Sequence, residues 1–439
     1  MSRTQVIIPH IVMNRLQKLL LIGLFSFLPF ALWGKGGLGY AEIRRLVAEQ
    51  DSYIRDIRRH LHLHPELSGQ EVETVKRLKA ELQQLGGFDI HDVQGSTGFY
   101  AILETESKGK TFGLRTDIDG LPIEESQTNG EGKQKKWVSQ ASGVSHGCGH
   151  DGHMAILLAT ARILHGLRSQ LKGRFVFIFE EGEETNSGIR PMIAALRNDG
   201  IVFDVIYGNH VASNVPSGQL FVKEGPIMAG MATLAYHIVG RGGHVSRPDK
   251  SVNPVFAAAD VLTSISVAWN NQRDLEKLVT LGVTQLEGGK VYNVIPNEVF
   301  IGGSLRFFDR EAGEHALSLV KSVSEHVAAA HGCTVSYTDR MQIDLPPVSN
   351  DTVYTHYAQR ELEALYPHHV TTDPQYVWYG SETFALYSQL APSVFVLVGI
   401  NNKEVGSTAQ HHNDKFDLDE EALLYGVGAM TQFVVGQSK

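Results

Sequence analysis

The sequence predicts an α/β protein built on a mostly parallel sheet, into which a ferredoxin-like α+β module is inserted. Short apolar runs alternate with amphipathic helical stretches up to Pro226 and again after Pro346, as expected of parallel strands joined by crossover helices. Between those prolines the order changes to β-α-β-β-α-β, the signature of a ferredoxin-like unit. At 439 residues the chain is too long for one ordinary core. Its 42% hydrophobic and 20% charged content is that of a globular protein.

Residues 1–36 read as a leader. Arg15 and Lys18 precede an apolar run over 19–33, followed by "GKGG". Pro29 interrupts the run, which is shorter than the roughly twenty residues that span a bilayer. The expectation is an exported protein, periplasmic or extracellular, with no stable membrane span after leader removal.

Residues 40–226 are expected to form the first part of the sheet domain. "AEIRRLVAEQDSYIRDIRRHLHLHPEL" places Ile43, Leu46, Val47, Ile54, Ile57 and Leu61 near helical spacing until Pro65 stops it, and "ETVKRLKAELQQLG" is a second amphipathic helix. "GFYAILET" and "TFGLRTDID" read as strands, 154–167 as an apolar helix, and "RFVFIFEE" and "DVIYGNH" as further strands. In the insertion, 227–345, the strands are "MATLAYHIVG", "KLVTLGVTQLEGG", "EVFIGGSLRFF" and "CTVSYTDR", with helices in "SVNPVFAAADVLTSISVAW" and "EHALSLVKSVSEHVAAAHG". Residues 346–439 complete the sheet domain with a helix around 353–365, the strand "SVFVLVG" and a helix after Asp419.

A net charge of -9 with no long Lys/Arg run excludes the clustered positive surface that nucleic acid requires. Only Cys148 and Cys333 are present, too few for a disulfide framework. Cys148 therefore needs another explanation, and it sits in "GVSHGCGHDGHMA".

Open α/β sheets bind ligands at the C-terminal ends of their strands, and four polar groups fall there. Asp117 and Asp119 follow "TFGLRT", where they either orient a metal ligand or cap a turn before Pro122. Cys148 and His150 are separated by one glycine, so a bent backbone aims thiolate and imidazole at one centre. That pair reads as metal binding or as a Cys/His nucleophile. Glu180, Glu181, Glu183 and Glu184 follow "RFVFIF", either as a solvated loop or as a metal ligand beside a proton carrier. His210, closing "DVIYGNH", is a strand terminus or a further ligand. There is no phosphate loop and no H-E-x-x-H.

From about residue 45 onward, the ordered blocks "RRHLHLHPELSGQE", "LRTDIDGLPIEE", "HGCGHDGHMA", "EEGEE", "GNH", "GPIMAG", "GRGGHVSRP", "NVIPNEVFIGGSLR", "GSETF" and "HHNDKFDLDEEAL" resemble the metal-dependent amidohydrolases of N-acyl amino acids. That group includes hippurate and auxin-conjugate hydrolases, within the wider aminoacylase and carboxypeptidase metallopeptidase family. The resemblance implies two divalent metal ions per subunit, held by Cys148, His150, Glu184, His210 and His412. His412 is preferred to His411 by its spacing to Phe416. Glu183 falls at the general acid/base position and Asp119 at the aspartate supporting the metal centre. The insertion resembles a lid and dimerisation domain, and His244 the histidine that polarises the scissile carbonyl, often across a homodimer. Asn293 and Arg306 fall at lid positions suited to a substrate carboxylate.

The implied activity is hydrolysis of an amide bond in N-acyl amino acids or small peptides by a metal-activated water, with a glutamate as general base. Mixed thiolate, imidazole and carboxylate ligation suits zinc or manganese, with cobalt or nickel also fitting. Two departures stand out: "FEEGEE" where many relatives have F-Q-P-A-E-E, and Thr383 in place of a common aspartate. Both are expected to bear on substrate preference. The competing readings are a non-catalytic metal- or peptide-binding protein on the same scaffold, against which the retained Glu183 argues, and a Cys148-dependent hydrolase.

Overall fold

The computed structural model describes residues 38–439, and the leader expected in 1–36 lies outside them. Tyr40–Lys439 form one compact unit. In place of one long N-terminal helix there are two, α1 (Tyr40–Ala48) and α2 (Asp51–Leu63). Asp51 supplies an acid to the first turn of α2, a helix-start signal that unbroken apolar periodicity conceals. The third helix, α3 (Val72–Leu85), stops at Gly86 with φ 74°.

The chain then runs through β1 (Phe88–Asp92), β2 (Phe99–Glu104), β3 (Ser107–Asp117), α4 (His150–Leu167), β4 (Lys172–Glu180), α5 (Ile189–Asn198), β5 (Val205–Pro216) and β6 (Leu220–Phe221). The insertion follows as β7 (Gly230–Val239), α6 (Pro254–Gln272), β8 (Val279–Glu287), β9 (Glu298–Phe307), α7 (Arg310–Ala330) and β10 (Thr334–Tyr337). Last come α8 (Thr352–Leu365), β11 (Val370–Thr371), β12 (Ser393–Asn401) and α9 (Ala422–Val435).

The main sheet has the order β1-β2-β4-β3-β5-β12-β6-β11. Its centre, β4-β3-β5-β12, is parallel, whereas β1 and β2 are antiparallel to their neighbours. The turn joining β1 to β2 is too short for a parallel crossover. Phe175, Val176, Phe177, Ile178 and Phe179 of β4 are all buried, so both faces of the sheet are covered. Val176 and Ile178 pack with Ile189 and Met192 of α5 on one face. On the other, α4 is buried along nearly its whole length.

The insertion forms a separate antiparallel sheet, β8-β9-β7-β10, with both helices packed on it. Leu234, Ile238, Val261, Ile265, Ile301 and Val320 belong to its own core. The segments entering and leaving it, Gly225–Met228 and Val348–Asn350, pair with each other antiparallel. Among the described residues no helix is long and apolar enough to cross a membrane.

Candidate metal and catalytic site

The C-terminal ends of the central strands carry the polar groups. β3 ends at Asp117 and β4 at Glu180, which are register partners. α4 begins at His150, earlier than its apolar periodicity indicates, and is preceded by Gly149 in the left-handed region with φ 87°. A side chain at Gly149 would collide with Val211, so glycine is needed both for the bend and for the space. The bend aims Cys148 and His150 at one centre. After β4, Gly182 and Asn186, with φ 56° and 58°, bracket a single 3-10 turn, Glu183–Thr185. His210 does not close its strand as expected. Pairing of β5 with β3 stops at Gly208, but β12 carries β5 on to Pro216, so His210 sits just beyond the end of β3.

Ligand-type atoms converge in overlapping groups whose members lie within 4.8 Å of one another: Cys148 with His150 and His210, Cys148 with Glu184 and His412, and His150 with Glu183 and Glu184. The first two share Cys148. His210 Nε2 lies 3.5 Å from Cys148 Sγ. Glu184 Oε1 is 3.3 Å from His412 Nε2 and 3.8 Å from His150 Nε2.

The surrounding hydrogen bonds set the orientation of these groups. His150 Nδ1 donates to the Asp119 carbonyl at 2.9 Å and lies 3.1 Å from its Oδ1. Asp119 Oδ2 accepts from Ser68 Oγ at 2.6 Å and from the Glu184 amide at 3.1 Å. His210 Nδ1 donates to the Val211 carbonyl at 2.6 Å. Each imidazole therefore turns its Nε2 lone pair toward the shared centre, the usual support of a metal-binding histidine. His150 Nε2 and Glu184 Oε1 are buried with no hydrogen-bond partner. Facing acceptors of this kind are costly without a cation, so the donor set fits divalent metals.

A fourth group, Asp117 with His150 and His153, does not pass the same test. His153 Nδ1 donates to Asp117 Oδ1 at 2.7 Å, and its Nε2 accepts the Val211 amide at 2.9 Å. With both nitrogens engaged, His153 ties α4 to β3 and β5.

Burial, with Glu184 beside it, pushes the Cys148 thiol well above its ordinary range. A nucleophilic cysteine needs the opposite shift, which weighs against a Cys148-dependent hydrolase. Burial, then Glu382 and Glu184, likewise push the Glu183 carboxyl well up, so it readily holds a proton.

Cys148, Glu183, Glu184, His210, His412 and Arg306 line one cavity of about 430 Å³. His150 and Asp119 lie buried behind it. Arg306 donates to Ser381 Oγ at 2.7 Å. His244 and Asn293 do not line the cavity. His244 is exposed and pairs with Val294 across a short ladder, Gly243–His244 with Val294–Ile295. The structure brings His412, rather than His411, to Glu184; His411 Nε2 instead accepts from the Ser213 amide at 3.2 Å. Glu180 and Glu181 do not line the cavity. Glu180 is buried against Arg115 and Glu181 against Thr97. Trp378, Met228 and Met231 also line the cavity and were missed, because isolated residues in a loop and at an insertion boundary carry no periodic signal.

A parallel α/β sheet whose strand ends gather two such ligand groups around a shared cysteine, beside a buried glutamate, defines a dinuclear metallohydrolase. Residues 113–435 match the sequence profile of Peptidase family M20/M25/M40, and the chain belongs to that family. It is similar to the N-acetylcysteine deacetylase of Bacillus subtilis, 36% identical over 372 residues that cover 84% of this chain and 92% of the relative. An IAA-amino acid hydrolase of Arabidopsis thaliana is 33% identical, over 85% of this chain and 84% of its own. Among solved structures, a dinuclear metal-binding peptidase of the M20 family from Bacillus subtilis aligns with a TM-score of 0.74 at 31% identity, covering 88% of this chain and 98% of that one. The protein is a metal-dependent amidohydrolase that takes two divalent metals.

Proposed function

We propose that the protein hydrolyses the amide bond of N-acyl amino acids, or of small peptides, next to a free carboxylate. The observation that carries this is the pairing, in one cavity, of Glu183 beside the ligand cluster with Arg306, which makes no ion pair among the described residues. A half-buried guanidinium without an anion is a site for one, and its fork suits a carboxylate. Relatives named for an N-acetyl amino acid and for an amino acid conjugate support the same substrate class. Met228, Met231 and Trp378 offer an apolar wall for the acyl group.

When bound, the two divalent metals supply an acidified water and positive charge for the carbonyl oxygen. Glu183 then accepts the proton of the attacking water and returns it to the leaving amine. Arg306 holds the substrate carboxylate. Asp119 keeps His150 in the tautomer that leaves its Nε2 for the metal. Zinc or manganese suits this mixed donor set best, with cobalt or nickel as alternatives.

The insertion serves as lid and dimerisation surface. β8 is an edge strand, exposed over most of its length, with Val283 and Leu286 bare and Val267 of α6 also exposed. An unprotected apolar edge of this kind pairs readily with a second copy. In a homodimer, His244 and Asn293 complete the partner's cavity rather than their own.

The test is hydrolysis of a panel of acetyl, benzoyl and longer acyl amino acids alongside dipeptides and their carboxyl amides, before and after metal removal. The expected result is activity on free-carboxylate substrates only, lost with a chelator and regained with zinc or manganese. Activity that survives complete metal removal, or equal activity on the carboxyl amides, contradicts the proposal.

A further inference from the structure

At the cavity wall and behind it, Asp117, Glu180, Glu382 and Glu183 are buried around a single guanidinium, that of Arg115. Arg115 uses its whole fork. Nε donates to Glu180 Oε2 and Nη1 to Asp117 Oδ2, each at 3.0 Å. Nη2 donates to Thr383 Oγ1 at 2.8 Å and lies 3.0 Å from Glu382 Oε1. The Thr383 hydroxyl in turn donates to Glu180 Oε1 at 2.5 Å, and Tyr387 donates to Glu180 Oε2 at 2.8 Å.

The cluster holds the Glu183 side chain through one contact. The Thr383 amide donates to Glu183 Oε1 at 3.0 Å, the single hydrogen bond of the Glu183 side chain among the described residues. Thr383 opens a 3-10 helix, Thr383–Gln389, with Glu382 as its N-cap. The position of that amide is therefore set by whatever anchors Glu382 and Thr383. Both are anchored by Arg115, and Arg115 is anchored by Glu180. Arg115, Glu180 and Thr383 do not line the cavity, and the Thr383 amide is their link to Glu183.

We propose that Arg115, Glu180 and Thr383 are a positioning triad for Glu183, in which Glu180 and Thr383 work as a compensating pair. The proposal rests on the reading of Glu183 as the proton carrier. Glu180 and Thr383 are 203 residues apart in sequence and meet at one hydrogen bond. At that contact one partner supplies a carboxylate and the other a donor. Thr383→Asp alone places two carboxylates face to face. Glu180→Gln alone removes one of the three carboxylates that steady Arg115. Making both changes restores one carboxylate and one donor, with the sides exchanged.

The test is a double-mutant cycle in the metal-loaded protein, reading kcat, KM, bound metal and the thermal midpoint for wild type, both single variants and the Glu180→Gln/Thr383→Asp double variant. Each single change is expected to lower kcat by about tenfold or more with KM and metal content unchanged, a scale set by coupling within a shared hydrogen-bond network. The double variant should return to within about threefold of wild type. Thr383→Val, which keeps the amide but loses the hydroxyl, should lose turnover that Thr383→Ser largely recovers. Multiplying losses in the double variant, or losses that merely follow metal content or the thermal midpoint, overturn the triad. Glu183→Gln is measured alongside. If it is inactive and the cycle shows no rescue, only the triad fails; if it turns over near normally, the Glu183 assignment fails and the triad with it.

Discussion

Gly149 separates two of the metal-ligand candidates and occupies a conformation and a space that only glycine fits. Its φ is 87°, and an added Cβ would sit on Val211 Cγ2, with Phe416 Cζ at 3.4 Å. Gly149→Ala incurs about 1–2 kcal/mol for the left-handed backbone and about 1–3 kcal/mol for overpacking against Val211. The sum is roughly 2–5 kcal/mol. Unfolding entropy of about 2.1 cal/mol/K per residue gives roughly 0.8 kcal/mol/K for a folded part of about 400 residues, hence a fall in Tm of about 2–6 °C. Calorimetry of the metal-free protein measures this directly, without contribution from the ligands. Relief of the strain must also move Cys148 or His150, so metal titration of the same variant should show weaker binding. A Tm within about 1 °C of wild type together with unchanged metal affinity would refute the claim that Gly149 shapes the ligand bend.

Cys148 is shared by two ligand groups, so Cys148→Ser should lower metal content and activity together, measured by elemental analysis and hydrolysis. Loss of activity with both metals retained would favour a nucleophilic cysteine. If the proposed homodimer forms, co-expressed His244→Ala and Glu183→Gln chains should recover part of the activity that each lacks alone, because a mixed dimer then holds one complete site. Confirmed mixed dimers without recovery would place His244 in its own chain's site or remove it from the reaction. Away from the site, burial would raise the Glu125 carboxyl, but His62 and Lys135 bring it down to about 2, from about 4.3 when unfolded. Its stabilisation, roughly 3 kcal/mol, is thus present above about pH 4.3 and lost as pH falls through about 2. Urea unfolding at pH 5 and pH 3 should show a drop that Glu125→Gln lacks.

The strand-helix alternation and the order of the insertion were legible because period-two and helical patterns are local properties of the chain. The same is true of "HGCGHDGH", "EEGEE" and the histidine after "VIYGN", whose ligand-type residues stand out in the local sequence, although His210 lies inside β5 rather than at its end. Three kinds of fact were not local. The antiparallel edge formed by β1 and β2 depends on which strand lies next to which. The burial of Glu180 depends on Arg115, Thr383 and Tyr387 meeting it from β3 and from the segment after 380. The role of His153 depends on an amide of β5 occupying its second nitrogen; from spacing alone, it is as good a ligand as His150.

The central claim is that Glu183 carries the proton in a metal-dependent amide hydrolysis. Its most direct test is the turnover of Glu183→Gln with bound metal counted in the same sample. The isosteric amide keeps the contact with the Thr383 backbone region but cannot accept the proton. The account predicts two bound metals and a loss of at least about a hundredfold in kcat. Near-normal turnover in the fully loaded variant would contradict it.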